Sequence, residues 1–441
     1  MLVTRVPVLV VGAGVAGLSA AVWLARHGHS VTVRESSATP GGMLEPVAFE
    51  EGAFDRGSHR IHGDALAFLR DRLPVDGWVE RPRRGVLVLA GRQAGYPLNP
   101  WSFARALGPR TTLHMALGWL LRPRRWTRFQ SWERDRRVDA TERDEGYEHF
   151  VLSRVGRAAY ESFYRPYVTK VWGVDPAELS VSVARQRFSS SSPLSRVLAA
   201  RKDESFWYPL HGMASLISGL LKEAFQLGVT VETSAGVSEA ELGAWPAVLH
   251  TGPLEEVSGT AALSRRGLYL LHLRFSGAPT DDVDTWYVPG EESWFGRVSV
   301  PAAFTGDRID RASTVLAVEI PEGRWGEGRD FLALLPVVQK QLHSAGILRR
   351  DTTVLAAKQT FVRGVYPEFR RGWVASWRSA MAAVSARGNV FMAGRQGLFL
   401  HCNIDHAVAT ALAAAEHISE GVSVERWAQE ARQWLDVKVR D

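Results

Sequence analysis

The residues best suited to chemistry form a glycine-rich loop near the N-terminus. An apolar run over residues 8–11 leads directly into Gly12, Gly14 and Gly17, at the spacing G-x-G-x-x-G. Gly12 permits a tight turn, Gly14 lets the backbone approach a pyrophosphate, and Gly17 lets the following helix lie close to the strand. That helix, predicted over residues 18–27, would direct its N-terminal dipole and free amides at the phosphate. The loop therefore predicts a Rossmann-type dinucleotide site.

An acidic residue completes this motif. Glu35 follows a predicted strand over residues 30–34, about 20 residues after the glycine loop, as dinucleotide sites require. A carboxylate at this place accepts hydrogen bonds from a ribose 2′-hydroxyl and disfavours a 2′-phosphate, which argues against NADP. Strand, glycines, helix, second strand and acid occur in the required order, so the motif is more specific than a glycine-rich loop alone.

The composition is that of a large folded protein. The chain has 441 residues, of which 46% are hydrophobic and 23% charged, enough for two or three domains. Its one cysteine, Cys402, excludes internal disulfides and cysteine-based metal sites, and neither HExxH nor GxSxG occurs. No bound metal is expected. Because the sequence contains neither a signal peptide pattern nor a long apolar span, we expect a cytoplasmic protein.

The net charge of +6 is compatible with three kinds of partner, namely nucleic acid, a membrane surface or an anionic substrate. An arginine-rich stretch over residues 122–137 follows an apolar stretch over residues 113–121. This pair is either an interfacial helix with a basic flank or a substrate-domain helix followed by a solvated basic turn. We favour the second, because the faces of the helix do not alternate cleanly. Peripheral membrane contact is therefore not favoured, and since no nucleic-acid motif is present, nucleic acid is not an expected partner.

The order of elements predicts an α/β fold with interleaved domains. A helical stretch over 139–184 precedes a serine-rich linker at 189–193, and a helix is predicted over 214–227. Predicted strands at 228–233 and 247–251 would rejoin the N-terminal sheet, whereas strands at 267–275 and 313–320 would form a second sheet. The predicted boundaries place the nucleotide-binding part at 1–90, 205–262 and 365–441, and a substrate domain of mixed sheet and helices at 91–204 and 263–364.

Further motifs resemble those of one flavoprotein superfamily, which includes protoporphyrinogen oxidase-like proteins, flavin amine oxidases and UDP-galactopyranose mutases. Gly41-Gly42 resembles its second glycine pair, although Thr39-Pro40 replaces the usual preceding arginine. The other similar segments are residues 54–62 (G-x-H-x-x-H), 164–173 (YT-x-K-x-W-G, the most specific), 208–213 (with His211 in place of a glycine), 389–395 (the last FAD strand) and 403–406 (N-M-D-H).

The resemblance implies a bound FAD and a small-molecule substrate. It does not determine whether the FAD is attached covalently. It assigns cofactor contacts to Gly12, Ala13, Gly14, Val15, Ala16, Gly17, Glu35, Ser36, Gly41, Gly42, Met43, Gly57, Ser58, His59, Val237 (on a strand after Gly236), Thr251, Gly394, Arg395, Asn403, Ile404 and Asp405, with Asp405 also expected to cap the last helix. The candidate catalytic residues are His59, His62, Arg297 and His401, and the candidate substrate contacts are Tyr167, Trp172, Trp286, Trp294, Phe295, Arg297 and Tyr366.

The resemblance leaves open which of two reactions the flavin would support, because the superfamily has an oxidoreductase branch and a mutase branch. The oxidoreductase branch removes a hydride from a C–N or C–C bond, whereas the mutase branch rearranges a nucleotide sugar with reduced FAD. Arg297 matches by position a mutase arginine that holds the substrate diphosphate, but His401-Cys402 stands where the mutases have paired tyrosines. We therefore favour an oxidoreductase of a biosynthetic pathway, with an anionic compound or a nucleotide sugar among the candidate substrates. A flavin-binding protein without catalysis is a third class.

Several of these residues also have simpler interpretations. His59 and His62 are suited to proton transfer, because an imidazole titrates near neutrality, but either could only cap a turn. Arg297 is either a bidentate anion clamp or a surface ion pair. Cys402 is interpreted as a buried thiol rather than a site of flavin attachment. Since the chain has 16 tryptophans, core packing explains most of the aromatic residues.

Overall fold

A computed structural model describes residues 5–89, 91–96, 104, 108–121, 146–186, 205–279, 282–306 and 312–439. The strands are β1 Pro7–Val11, β2 Ser30–Arg34, β3 Val47–Phe49, β4 Gly52–Phe54, β5 Trp78–Pro82, β6 Gly85–Leu89, β7 Arg92–Tyr96, β8 Ser205–Pro209, β9 Thr230–Glu232, β10 Ala247–His250, β11 Arg265–Ser276, β12 Thr285–Tyr287, β13 Arg297–Ser299, β14 Ser313–Pro321, β15 Val354–Pro367 and β16 Val390–Met392. The α-helices are α1 Val15–Arg26, α2 Gly63–Arg70, α3 Pro109–Leu120, α4 Tyr147–Val155, α5 Arg157–Ala159, α6 Arg165–Trp172, α7 Val181–Arg185, α8 Ala214–Gln226, α9 Glu239–Gly243, α10 Leu254–Ser258, α11 Pro301–Thr305, α12 Leu335–Ser344, α13 Trp373–Ser385, α14 Gly394–Gly397, α15 Ile404–Ser419 and α16 Val424–Glu430.

The chain forms two compact units, each built from separated pieces of sequence. The first unit comprises Met1–Glu80, Phe206–Ser264 and Val374–Asp441, and the second comprises Arg81–Ser205 and Arg265–Trp373. The interleaved organisation is the one that the order of elements predicts. The first boundary lies ten residues before the predicted position 90, because β6 and β7 pair with strands of the second unit rather than with the nucleotide-binding sheet.

The first unit contains a five-stranded parallel sheet in the order β16-β10-β1-β2-β9. The predicted strands after Gly228 and before Gly252 do rejoin the N-terminal sheet, as β9 beside β2 and β10 beside β1. Val8, Leu9 and Val10 are fully buried at the centre of this sheet. Helix α1 packs against α8 and α15, so three separated parts of the sequence complete one layered Rossmann-type fold.

The second unit contains a seven-stranded mixed sheet in the order β15-β11-β14-β13-β12-β6-β7. Its pairs are antiparallel except β12 with β6, which run parallel. Since side chains alternate along a strand, Trp286, Val298 and Val318 share one face and belong to the buried apolar cluster of this unit. Their neighbours Tyr287 and Arg297 lie on the other face. One side of the sheet is thus apolar core, and the other carries polar groups.

The predicted helical stretch over 139–184 is helical in the part that the structure describes, but it is divided into short segments. Gly156 has a φ of 81° between α4 and α5, and a π-helical turn spans Tyr160–Tyr164. Helix α6 then ends at Gly173, which adopts the left-handed conformation that favours glycine. Glycines at these positions divide the stretch into short helices. The predicted serine-rich linker at 189–193 lies outside the described residues.

The described residues include neither a membrane-spanning helix nor a metal-binding cluster. None of the helices in that part of the chain is long and apolar enough to cross a membrane. No group of three or more His, Cys, Asp or Glu side chains within the described ranges could hold a metal ion.

Candidate functional site

The glycine loop and Glu35 meet at the carboxyl ends of β1 and β2. The Glu35 carboxylate is buried and accepts the backbone N–H of Ala13 at 2.8 Å and that of Ser37 at 2.9 Å. The Ser36 hydroxyl donates to the same carboxylate at 3.3 Å. A carboxylate has about four lone-pair positions, so it retains acceptor capacity for ribose hydroxyls after these bonds. Glu35 therefore holds the loop in shape and stays available to a nucleotide.

The three glycines of the loop have different structural roles. Gly12 has a φ of 100°, and a Cβ there would lie 2.4 Å from the Thr251 hydroxyl. A Cβ on Gly17 would lie 1.9 Å from the Gly12 carbonyl oxygen, so only glycine lets α1 approach the turn. At Gly14 the nearest atoms would be 3.8 Å away, on Gly41. Gly12 and Gly17 are thus required by packing, whereas a Cβ on Gly14 would make only ordinary van der Waals contacts within the protein.

The second glycine pair lies directly against the first loop. Gly14 and Gly41 form a parallel bridge, and the Gly41 N–H donates to the Ala13 carbonyl at 3.0 Å. A Cβ on Gly42 would lie 3.4 Å from the Gly14 Cα. Met43, also predicted at the cofactor, is half-buried. Two bare backbone segments therefore border the N-terminus of α1, where Val15 and Ala16 carry N–H groups without intrahelical acceptors.

Two further segments of the sequence, around Thr251 and Gly394, complete this site. The Thr251 hydroxyl donates to the Val11 carbonyl at 2.8 Å, and the N–H of Gly394 donates to Thr410 at 3.0 Å. A Cβ on Gly394 would lie 3.0 Å from the Cβ of Ala16, in the first turn of α1. The structure therefore brings Gly12, Thr251 and Gly394 together, although they come from three separated parts of the chain.

Arg395 has a contact that the sequence does not suggest. Its Nη1 donates to the Cys402 carbonyl at 2.6 Å. The guanidinium thereby ties the segment 398–402 to the start of α14. The predicted contact between Arg395 and the FAD diphosphate stays a prediction.

The predicted start of the last helix needs one correction. Helix α15 begins at Ile404, and its N-cap residue is Asn403, so the prediction of Asp405 as N-cap is wrong. Asp405 instead lies in the first turn, where a carboxylate interacts favourably with the helix dipole. The predicted strand at Val237 is also wrong, because Val237 lies in the loop between β9 and α9. Cofactor contacts at both places stay predictions.

A polar cluster lies in the segment predicted to border the flavin ring. The Tyr208 hydroxyl donates to the Asp55 carboxylate, and the Nδ1 of His59 lies 4.0 Å from an Asp55 oxygen. Asp55 also accepts a backbone hydrogen bond from Met213. Burial raises the pKa of Asp55 from 3.8 to about 6. Gly57, with a φ of 103°, forms the turn between Asp55 and His59, and Ser58 is half-buried beside it.

Asp55 and Tyr208 are residues that the sequence reasoning missed. A signal was present, since Asp55 precedes His59 by four residues in the quoted segment, but the tyrosine comes from a distant segment. The other candidate histidines of the first unit are buried. His62 is 6% exposed and is the N-cap residue of α2 without a capping side-chain bond, and His401 is 7% exposed.

The polar face of the second unit is organised around a buried ion pair. The guanidinium of Arg297 donates to both carboxylate oxygens of Glu319, at 2.9 Å from Nε and 2.8 Å from Nη2. Although burial works against its charge, Glu319 raises the pKa of Arg297. Tyr366 and Tyr287 also interact electrostatically with Arg297. The side chain is 24% exposed, so this is neither an open anion clamp nor a surface ion pair.

The predicted aromatic substrate wall is wrong for its most buried members. Trp286 and Phe295 have no exposed surface and belong to the apolar cluster. Trp294 packs against that cluster, with its ring centroid 5.2 Å from that of Trp325. Trp172 is 1% exposed and donates to the Pro367 carbonyl at 3.1 Å. Trp286, Phe295 and Trp294 therefore stabilise the apolar cluster, and Trp172 is buried beside Tyr366.

Two of the predicted substrate contacts are more accessible. Tyr167 is half-buried on α6, and its ring centroid lies 6.1 Å from that of Phe163. Tyr366 is half-buried on β15, with its ring 6.1 Å from Trp172. Tyr366 also interacts electrostatically with Arg297, and the hydroxyl groups of both tyrosines can bind polar atoms.

Lys170 holds the loop that precedes β13 by three hydrogen bonds. Its ammonium donates to the carbonyl oxygens of Val288 at 2.7 Å and Phe295 at 3.0 Å, and also to that of Gly290. These carbonyls flank the loop that leads into β13 and Arg297. Lys170 belongs to the most specific sequence motif, but its partners are 118 to 125 residues away and carry no recognisable pattern.

Comparison with known proteins agrees with this geometry. A family model described as an NAD(P)-binding Rossmann-like domain matches residues 10–71. Mitochondrial protoporphyrinogen oxidase of Nicotiana tabacum is 28% identical over 182 residues, which are 40% of this chain and 34% of that protein. The match thus spans about a third of the length of this curated relative.

Solved structures resemble the chain over nearly its whole length. Reduced UDP-galactopyranose mutase superposes with a TM-score of 0.78 at 17% identity, covering 99% of this chain and 98% of the other. Cyclohexylamine oxidase from Brevibacterium oxydans gives 0.60 at 14% identity, covering 95% and 99%. These likenesses show the fold. They confirm the predicted α/β class, with a Rossmann-type domain interleaved with a mixed-sheet domain.

Proposed function

We propose that this chain, which has the fold shared by protoporphyrinogen oxidases, flavin amine oxidases and UDP-galactopyranose mutases, is an FAD-dependent oxidoreductase. Its substrate would be a small or medium organic molecule that loses a hydride from a C–N or C–C bond in a biosynthetic pathway. The observation that carries the proposal is the nucleotide site, in which Glu35 and three glycine-containing segments converge at one end of a parallel sheet. Bound FAD supplies the capacity to accept a hydride from the substrate and to pass the electrons to an acceptor.

The residues present fit an FAD dinucleotide. Glu35 would bind the adenosine ribose, because its buried carboxylate retains acceptor capacity. Gly14, Gly41 and Gly42 would border the pyrophosphate, since the space beside Gly14 is what a side chain would otherwise fill. The N-terminus of α15 supplies partial positive charge, which suits the end of the flavin where negative charge gathers on reduction.

Proton handling in the first unit would fall to His59. Its imidazole lies 4.0 Å from the Asp55 carboxylate, whose ionised form would orient the ring. Tyr208 in turn holds that carboxylate in place by donating its hydroxyl hydrogen. A histidine supported in this way can hold or move one proton at Nε2.

Substrate contact in the second unit would involve the polar sheet face. Arg297 of the buried Arg297–Glu319 pair offers a partly exposed guanidinium, and Tyr287 and Tyr366 add hydroxyl groups. Because Glu319 already neutralises Arg297, this face suits a polar substrate better than one that needs a free cation.

A mutase-like reaction on a nucleotide sugar is the second candidate. It is favoured by one observation, the superposition with reduced UDP-galactopyranose mutase over 99% of the chain. Against it, His401 and Cys402 replace the paired tyrosines of that branch, and Arg297 is held by Glu319 rather than free for a diphosphate.

Stopped-flow spectroscopy of the purified protein distinguishes these functions. The flavin would be reduced chemically and mixed with oxygen, and separate anaerobic samples would receive amines, alicyclic compounds, UDP-galactose or UDP-glucose. Reduction of bound FAD by an amine or alicyclic substrate, followed by reoxidation, is the expected result. Flavin that stays reduced but changes spectrum with a nucleotide sugar supports the mutase candidate. Absence of turnover with any acceptor supports a non-catalytic flavoprotein, and failure to bind FAD refutes the proposal.

A further inference from the structure

The loop between β12 and β13, which we call the carbonyl loop, closes around one ammonium group. Lys170 on α6 donates to the carbonyl oxygen of Val288 at 2.7 Å and to that of Phe295 at 3.0 Å, near the two ends of the loop. It also donates to the carbonyl oxygen of Gly290, between them. An ammonium has three N–H groups, so each of them has an acceptor here.

The carbonyl loop joins the two strands that carry the polar face of the second unit. Tyr287 ends β12 directly before the loop, and Arg297 begins β13 directly after it. The N–H of Val288 donates to the Gly296 carbonyl at 2.9 Å, and the N–H of Gly296 donates to the Glu319 carbonyl at 2.9 Å. Strand pairing therefore continues into the loop, which couples its conformation to the placement of Tyr287 and Arg297.

The end of α6 packs closely on the segments beside the ammonium. A Cβ on Gly296 would lie 3.9 Å from the Lys170 Cδ, and a Cβ on Gly323 would lie 2.8 Å from the Lys170 carbonyl oxygen. Gly173 follows the helix, and a Cβ there would lie 2.7 Å from the carbonyl carbon of Gly323. Bare backbone at these positions lets the helix approach both segments, so the half-buried stem of Lys170 is held in place.

The three hydrogen bonds require the charged form of the lysine. A neutral amine has two N–H groups and a lone pair, so one of the three carbonyl oxygens would lose its donor and face the lone pair. Burial opposes the charge and lowers the pKa of Lys170 from 10.5 to about 7. Because the folded state releases this proton at a lower pH than the unfolded chain, the contribution of the group to the free energy of unfolding rises between pH 7 and 10.5. Opening of the loop in this range would therefore be local and not global.

The other charges near Lys170 are on exposed side chains. Glu291 and Glu292 of the carbonyl loop favour the ammonium, and Arg324 after β14 opposes it. The carboxylate of Glu322 accepts a backbone N–H of β11 instead, and the ion pair of the polar face neutralises itself. Solvent screens exposed charges, so burial and the carbonyl oxygens have the larger effects on this ammonium.

We propose that Lys170 is a positioning residue, whose protonated ammonium keeps the carbonyl loop closed and thereby fixes Tyr287 and Arg297 on the polar face. Loss of the proton releases the loop. The part of this face in substrate binding rests on the proposed function, whereas the closure of the loop does not. An enzyme built in this way binds its substrate less tightly as the pH rises and the ammonium is lost.

Hydrogen exchange of the full-length protein, followed by mass spectrometry, tests the proposal without a substrate. It would follow the amides of Val288, Trp294 and Gly296, whose N–H groups are hydrogen-bonded. Protection factors correct for the intrinsic dependence of exchange on pH. The variant is K170M, which keeps a long side chain without the charge, and the matched control is K340M, since Lys340 is exposed on α12 in the same unit. Thermal unfolding checks that each variant is folded.

We expect the protection factors of wild type and K340M to fall at least about tenfold between about pH 6 and about pH 9.5, because the loop loses its charged donor. K170M should give the low value at both pH values. Wild-type protection that does not change with pH would overturn the proposal, and so would protection in K170M equal to that of wild type. If K170M does not fold, the wild-type pH series decides alone. Expected exchange in a protein that binds no FAD would support the closed loop and refute only the proposed function.

Discussion

Gly14 and Gly17 lie three residues apart in one motif, but the structure predicts opposite consequences for their replacement by alanine. A Cβ on Gly17 would lie 1.9 Å from the Gly12 carbonyl oxygen and 3.1 Å from its carbon, both backbone atoms that cannot rotate away. Helix α1 would have to retreat from β1, and overpacking of this kind costs about 1–3 kcal/mol or more. G17A should therefore lower the free energy of unfolding of the protein without FAD.

G14A should leave that free energy nearly unchanged. The Gly14 backbone is extended, with a φ of −79°, and the nearest atom to a Cβ is 3.8 Å away. The new methyl group would instead enter the space proposed for the pyrophosphate. If it costs about 2.7 kcal/mol of binding, FAD affinity falls by about a hundredfold. At a free FAD concentration one hundred times the wild-type Kd, the added stability would fall from about 2.7 to about 0.4 kcal/mol.

Denaturant unfolding of wild type, G14A and G17A, each with and without FAD, measures both effects. A flavin-binding titration gives the affinities independently. The reasoning fails if G14A destabilises the FAD-free protein as much as G17A does. It also fails if G14A binds FAD as tightly as wild type, because the space beside Gly14 would then not be the pyrophosphate site.

Three further predictions concern charged groups. E35A should lower the free energy of unfolding by at least about 2 kcal/mol, because two backbone N–H groups lose their acceptor. It should also weaken FAD binding; calorimetry measures the first effect and a flavin titration the second. R297M should cost about 3–5 kcal/mol by leaving Glu319 buried and unpaired, whereas R297M/E319L should recover most of it; equal losses in both variants would contradict the ion-pair argument. Because burial raises the pKa of Asp55 to about 6, the folded state binds more protons than the unfolded state between pH 4 and 6. Stability from this group is therefore present at pH 4 and lost as the pH rises through 6, by about 3 kcal/mol, and D55N should remove that dependence in unfolding curves.

Local patterns predicted the nucleotide-binding part well. The glycine spacing, the acidic position and the apolar strands are all short-range signals. The structure places the strands in the five-stranded sheet, and it places the glycine loop and Glu35 together at the ends of two of them. The backbone geometry at Gly41 also follows from a short motif, since its contact with Gly14 depends on bare backbone at both places.

The second unit was predicted less well, because its contacts join distant segments. Glu319 faces Arg297 only because β13 and β14 pair in one particular register. The same pairing turns Trp286 toward the core and Tyr287 away from it, and a shift of one residue would reverse both. Composition shows that aromatic residues are present near Arg297, but it does not show which side of the sheet they occupy.

The interleaving of the two units also constrains how the protein is made. Strand β1 leaves the ribosome long before its neighbour β10, which begins at Ala247, and β10 pairs in turn with β16 at Val390–Met392. Helix α15, which covers α1, ends only at Ser419. At about 5–20 residues per second, tens of seconds of synthesis separate the first strand from the last elements that bury it. During that interval the Val8–Val10 strand and the apolar side of α1 lack their final partners, so the growing chain would depend on chaperones or on non-native contacts for protection.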